Sequence, residues 1–236
     1  MIRIIYFAFI ILLISCSGNQ QEEKADNTEP MLNDSSYENS NVPDSSLTMD
    51  IINFFDTTGY SNYMRENMGE FNWNSFKLIG NWQEDSLLVF PFIPDEDYYK
   101  KYGRLIKYSP DSNYFLDLDS YQIDISIDKN GKMIPDELGP DTEISLINTI
   151  NKTKTRLAYF GPAGSIEDGT WIDNETIALA GWAEVSSDSL KALIYKIHIP
   201  TGSYYVYEFA DSGNARKLMG EWRKKRLEKL NSTSRD

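Results

Sequence analysis

Residues 121–131 run Tyr-Gln-Ile-Asp-Ile-Ser-Ile-Asp-Lys-Asn-Gly. Ile123, Ile125 and Ile127 alternate with Asp124 and Ser126. A period of two is the signature of a strand with one face buried. Asp128-Lys129-Asn130-Gly131 then makes a turn, because Asn and Gly tolerate the positive φ that a tight hairpin needs. Outward from this hairpin the same signals recur. Strands are expected over residues 86–90, 104–108, 114–118, 143–150, 156–160, 176–180, 192–199 and 203–209. Ser109-Pro110-Asp111-Ser112 turns one pair, and Pro200-Thr201-Gly202 turns the last. The glycine-rich stretch 161–169 reads as a long flexible loop beside Trp171, and Gly181-Trp182 as the start of another.

Helices are expected only at the ends of the domain, over residues 48–55, 61–68 and 214–230. In the last, Asn214 is a candidate cap. Ala215, Leu218, Met219, Trp222, Arg226 and Leu230 form one stripe. Arg216, Lys217, Arg223, Lys224, Lys225 and Lys229 form a basic face, expected to be solvated while the stripe docks on the acidic domain. The sharper alternative is a helix that binds a partner or a membrane surface. The fold class is therefore mainly β, an antiparallel meander with a short N-terminal helix and an amphipathic C-terminal one.

Three segments share an outline of aromatic residue, Asp-containing turn and strand: Trp82 to Val89, Tyr108 to Phe115 and Trp171 to Ile177. With the hairpin Ile194-Tyr195-Lys196-Ile197-His198-Ile199-Pro200-Thr201-Gly202, they resemble the blades of TolB-like and WD-repeat β-propellers. The resemblance covers about half of the chain and implies a partial or small propeller. Another antiparallel β-domain with blade-like meanders fits the same residues. Such folds are mostly binding platforms, and fold alone does not fix function.

The first residues give an address. Arg3 precedes the apolar run Ile4 to Ile14, too short to span a bilayer and followed at once by polar residues. Leu13-Ile14-Ser15-Cys16 resembles the lipobox of bacterial lipoproteins. That resemblance implies cleavage between Ser15 and Cys16, and acylation of Cys16, the sole cysteine of the 236-residue chain. Each buried methylene contributes about 0.8 kcal/mol, so two or more acyl chains hold firmly. Ser17, where lipoproteins retained at the inner membrane carry Asp, points to the outer membrane. Gln20-Gln21-Glu22-Glu23-Lys24 loosely resembles a surface-export signal. Residues 1–15 are thus read as a signal peptide, residues 16–46 as a lipidated Cys with a disordered polar tether, and residues 47–236 as one β-rich domain. A tether of about 30 residues reaches about 30 Å, which keeps the domain close to its membrane.

The net charge of −13 argues against a nucleic-acid partner. One His and one Cys exclude His/Cys zinc sites. His198, between Ile197 and Ile199, reads as a surface or edge residue and not as a general base. Ser126, Asp128, Asn130, Gly131 and Glu137 partly match a calcium loop, but Ser126 stands where the first carboxylate belongs, so a polar hairpin turn explains them better. The pairs Asp117/Asp119 and Glu167/Asp168 could serve glycoside hydrolysis. In so acidic a chain they carry little information, and Asp117 and Asp119 are expected on one solvated strand face. Trp171 and Trp182 are the candidates for ligand or partner contact, against the plainer reading of Trp182 as a core residue.

The expectation is a non-enzymatic, membrane-anchored lipoprotein of the bacterial envelope that binds an envelope protein, with no metal or cofactor. Surface glycan binding is the alternative, and a carboxylate-based hydrolase ranks below it.

Overall fold

The computed structural model describes residues 47–68, 70–186, 189–209 and 220–231. The expected signal peptide, Cys16 and tether lie outside the described residues, as do residues 214–219 of the expected C-terminal helix. In chain order the elements begin with α1 (Met49–Thr57), α2 (Tyr60–Met68), β1 (Phe76–Gln83), β2 (Val89–Pro91) and α3 (Glu96–Tyr102). Next come β3 (Lys107–Tyr108), β4 (Tyr114–Asp117), β5 (Ile123–Ile127), β6 (Met133–Glu137), β7 (Thr142–Asn148) and β8 (Thr153–Phe160). The chain continues through β9 (Gly164–Trp171), β10 (Thr176–Ser186), β11 (Ser189–His198), β12 (Ser203–Phe209) and α4 (Glu221–Glu228).

The strands form two five-stranded antiparallel sheets and one hairpin. The first sheet has the order β1-β12-β11-β10-β9 and the second β2-β8-β7-β4-β3. Among the described residues neither sheet closes on itself, and no helix is long and apolar enough to cross a membrane.

The sheets face each other across an aliphatic core. Ile166, Ile177, Leu179 and Ile197 of the first sheet meet Leu116, Leu118, Ile144 and Leu146 from the second. The other face of the first sheet is covered by α1 and α2, where Ile51, Phe55, Tyr60 and Met64 join Ala178, Ala180, Ile194 and Phe209 in one cluster. β10 is therefore buried on both faces, which explains its near-continuous apolar sequence. On the outer face of the second sheet, Tyr98 and Tyr99 of α3 lie against Phe115. The expected hairpin is present as β5–β6, with Ile123 opposite Glu137 and Ile127 opposite Met133. Gly131 has a φ of 79° at its turn. The buried Ile123, Ile125 and Met133 cluster with Tyr102, Leu227 and Leu230.

Three expectations are corrected. Helices are not confined to the ends: α3 lies mid-chain, with the Asp95 side chain accepting from the Tyr98 amide at 2.7 Å. Acidic Glu96 and Asp97 in its first turn and basic Lys100 and Lys101 in its last complement the helix dipole. Residues 164–169 are not a flexible loop; they are most of β9. Trp182 does not open a loop, because β10 runs through it. The glycines that suggested loops are there for space. A Cβ on Gly181 would sit 2.1 Å from the Ser165 carbonyl oxygen, and one on Gly169 would sit 2.7 Å from a Leu179 methyl.

Candidate functional site

The four carboxylates singled out in the sequence lie in the interior. Asp117 and Asp119 are 4% and 1% exposed, so their expected solvated face is corrected. Glu167 and Asp168 on β9 are equally buried. The register of β9 against β10 slips between Ala180 and Gly181, which pair with Asp168 and Ile166 and leave Glu167 at the bulge.

These groups organise the seam between β9 and α4. Glu167 accepts hydrogen bonds from the Gly220 and Arg223 amides at 3.2 and 2.9 Å, so it caps a helix whose own N-cap residue is glycine. Trp182 Nε1 donates to the same carboxylate at 3.0 Å. Asp168 accepts from Lys107 Nζ at 2.6 Å, Trp222 Nε1 at 3.0 Å and the Gly169 amide at 2.9 Å. Arg226 grips Asp119 with both terminal nitrogens, at 3.2 and 2.8 Å, and its Nε donates to the Glu167 carbonyl at 2.9 Å. Arg223 donates to Ser165 Oγ and to the Ile166 carbonyl. Arg223 is buried, which corrects its expected place on a solvated basic face. Its Nε has no hydrogen-bond partner among the described residues and lies 4.0 Å from Asp119 Oδ1.

Burial would push the Asp168 carboxyl up, but the charges of Lys107 and Arg226 outweigh it and hold the group below the usual carboxylate range. Burial would lower Arg226, and Asp119, ahead of Asp168, raises it. A carboxylate with its lone pairs this fully taken is built to hold a helix. Asp117 is similarly engaged, accepting from the Tyr98 hydroxyl at 2.8 Å and from the Asp119 and Ser120 amides at 3.1 and 2.9 Å.

The other flagged residues are dispersed. His198 sits at the β11–β12 turn, where Nδ1 lies 2.8 Å from Thr201 Oγ1 and Nε2 3.6 Å from Glu175. Asp128 binds the amides of Asn130 and Lys132 at 2.8 and 2.9 Å, and these bonds hold its carboxyl below the usual range. Glu137 is at the opposite end of that hairpin, paired with Ile123, so it does not join the turn residues. Ser126 Oγ reaches the Ile134 carbonyl across the hairpin, at 3.4 Å. Trp171 is half-buried and donates to the Lys107 carbonyl at 2.8 Å. Trp182 is 6% exposed, leaving no open ring face for a ligand.

The exposed aromatic surface lies elsewhere. Residues 84–88 carry the chain from β1 in the first sheet to β2 in the second. Beside them is a cleft of about 360 Å³, whose walls include Trp82, Leu87, Leu88, Tyr159, Tyr195 and Tyr204. Trp82 is 45% exposed. Its ring lies parallel to Tyr204, with centroids 5.1 Å apart and planes within 8°. The Tyr204 hydroxyl donates to the Leu157 carbonyl at 2.9 Å, which ties the two sheets together. Burial and then the nearby Glu84 carboxylate push Tyr204 up to about 12. Burial alone pushes Tyr195 to about 12. Tyr159 is also half-exposed, and its hydroxyl donates to Asp141 at 2.6 Å. Arg156 lies 5.2 Å from that ring, its charge engaged by Glu143 at 2.6 and 2.8 Å. Leu88, Val89, Phe90 and Ile93 extend the exposed apolar surface along and beyond β2.

The sequence reading placed Trp82 in a blade-like unit and did not pick it as a site residue. A usable signal was present: Gln83-Glu84-Asp85-Ser86 directly after it marks the exposed end of a strand. Comparison with protein-family models, with curated proteins and with solved structures gives no match to this chain.

Proposed function

We propose that this chain is a lipid-anchored binding module of the bacterial cell envelope, and that it engages an envelope protein through the Trp82–Tyr204 cleft. Acylated Cys16 is its membrane anchor, and the polar tether holds the domain near the bilayer, with the outer membrane favoured over the inner. The blade-like β9–β12 meander, backed by α1 and α2, is the rigid platform. The observation that carries the reading is the half-exposed Trp82, stacked on Tyr204 at the mouth of an apolar cleft. Exposed, pre-oriented aromatics of this kind serve as anchors in protein interfaces. The carboxylate pairs weighed for hydrolysis are enclosed and occupied by donors, which supports reading the exposed surface as one for binding.

The test is chemical crosslinking in intact cells that express the lipidated chain, followed by solubilisation and purification. The wild type should retain one stoichiometric envelope protein and Trp82→Ala should lose it, while both remain folded. If both variants retain the same protein equally, the cleft is not the contact. If neither retains a protein, and a sugar array instead shows Trp82-dependent binding, the flat ring pair is a glycan platform and the protein-partner reading fails.

A further inference from the structure

We infer that the partner enters the cleft as an extended basic segment that adds a strand to the free edge of β8; this rests on the partner-binding reading above. The edges of the two five-stranded sheets single out this place. At β9 the edge is covered, since Arg223 and Arg226 donate to its Ile166 and Glu167 carbonyls. β3 is two residues long. β1 carries a bulge between Leu78 and Gly80 and an exposed Lys77. β2 is three residues long and ends at Pro91, which has no N–H to offer. Bulges, lysine, proline and short length are the usual means of blunting an edge.

β8 differs. β2 pairs with it only at Thr153, Lys154 and Thr155, and one further bond joins the Arg156 amide to the Leu88 carbonyl. From Leu157 to Phe160 it has β7 on one side and, among the described residues, no strand on the other. Alternate residues of an antiparallel edge strand turn their N–H and C=O outward. Here only the Leu157 carbonyl has a cross-sheet donor, the Tyr204 hydroxyl. This bare edge is one wall of the aromatic cleft. An extended polypeptide can satisfy both main-chain donors and acceptors along such an edge, and a sugar cannot reproduce that ladder.

Charge selects the kind of segment. Arg156, the cation in the wall, is turned to Glu143, whose carboxylate it shares with Lys154 of the same strand. Glu84, also in the wall, has no ion pair among the described residues, and neither has its neighbour Asp85. The cleft therefore presents unpaired negative charge beside the open face of Trp82. A lysine or arginine satisfies both at once, by ion pairing and by lying over the indole ring. Aliphatic residues at alternate positions suit the remaining ring walls.

The experiment is hydrogen–deuterium exchange on the full-length protein with three capped peptide probes. One alternates lysine and valine, the second alternates glutamate and valine, and the third is the lysine peptide N-methylated at alternate residues to remove donors. The lysine peptide should slow exchange within residues 157–160 about tenfold at saturation, and the other two should bind about tenfold more weakly. Glu84→Gln should weaken the lysine peptide about threefold and leave the unliganded exchange pattern unchanged. Equal binding by the glutamate or N-methylated peptide, protection at another edge, or no protection with any probe would overturn strand addition. Trp82-dependent retention of an envelope protein without such protection refutes strand addition alone. Protection without retention refutes the partner reading alone.

Discussion

The two lateral margins of the sandwich were solved with opposite chemistry. At the β9 margin, carboxylates and arginines are buried and saturate one another, and α4 seals the strand edge. At the β8 margin, tryptophan and tyrosine are half-exposed around a hollow, and the strand edge is bare. The charged residues that looked like candidates for chemistry serve the fold. The aromatic residues that would ordinarily be core are left at the surface. In an acidic chain a buried carboxylate with a full set of donors is a structural element, while an exposed indole held flat against a second ring is the stronger sign of binding.

This contrast can be broken by substitution. Asp119→Ala removes the carboxylate that Arg226 grips with both terminal nitrogens and should cost about 3–5 kcal/mol, read by urea denaturation. Asp119→Leu combined with Arg226→Met should recover most of that loss, because both desolvation costs vanish together. Retention of the full loss in the double variant would show that shape, not charge, holds the seam. The two tryptophans form a matched pair. Trp182→Ala opens a cavity in the core and should cost about 3–5 kcal/mol, whereas Trp82→Ala removes one exposed stack and should cost about 0.5–1.5 kcal/mol. Trp82→Ala should nevertheless abolish partner retention.

A pH titration sharpens the same comparison. The Asp168 carboxyl lies lower in the folded state than its value of about 3.9 in an unfolded chain. Its contribution to stability is therefore complete above the unfolded value and is lost as pH falls through the folded one. Unfolding midpoints should drop below about pH 4, and Asp168→Asn should flatten that slope while lowering stability at neutral pH.

What the sequence disclosed follows from which interactions are local. The β5–β6 hairpin was legible because Ile123, Ile125 and Ile127 alternate and Asn130-Gly131 fits the turn. The β11–β12 hairpin was legible for the same reasons. β9 was not, because Gly164 and Gly169 look like loop glycines until their neighbours across the sheet are known. Its acidic pair read as part of that loop because the donors that hold it, Lys107, Trp222 and the Arg223 amide, lie more than fifty positions away along the chain. α3 was marked by Asp95, Glu96 and Asp97 at its start, a local signal outweighed by the strand patterns on either side. Trp82 shows the other limit: the polar run Gln83-Glu84-Asp85-Ser86 marks the end of its strand, but which part of the ring stays open depends on the distant elements that pack around it.

The central claim is that the partner is met at the β8 margin and not at other exposed apolar positions of the domain. It is tested most directly by placing a photoreactive benzoylphenylalanine at Tyr159, beside the cleft, and in a second strain at Leu138, exposed beyond the end of β6. Illumination of intact cells should give one discrete crosslinked envelope protein from position 159 and none from position 138. Equal crosslinking from both positions, or crosslinking from 138 alone, would contradict the account.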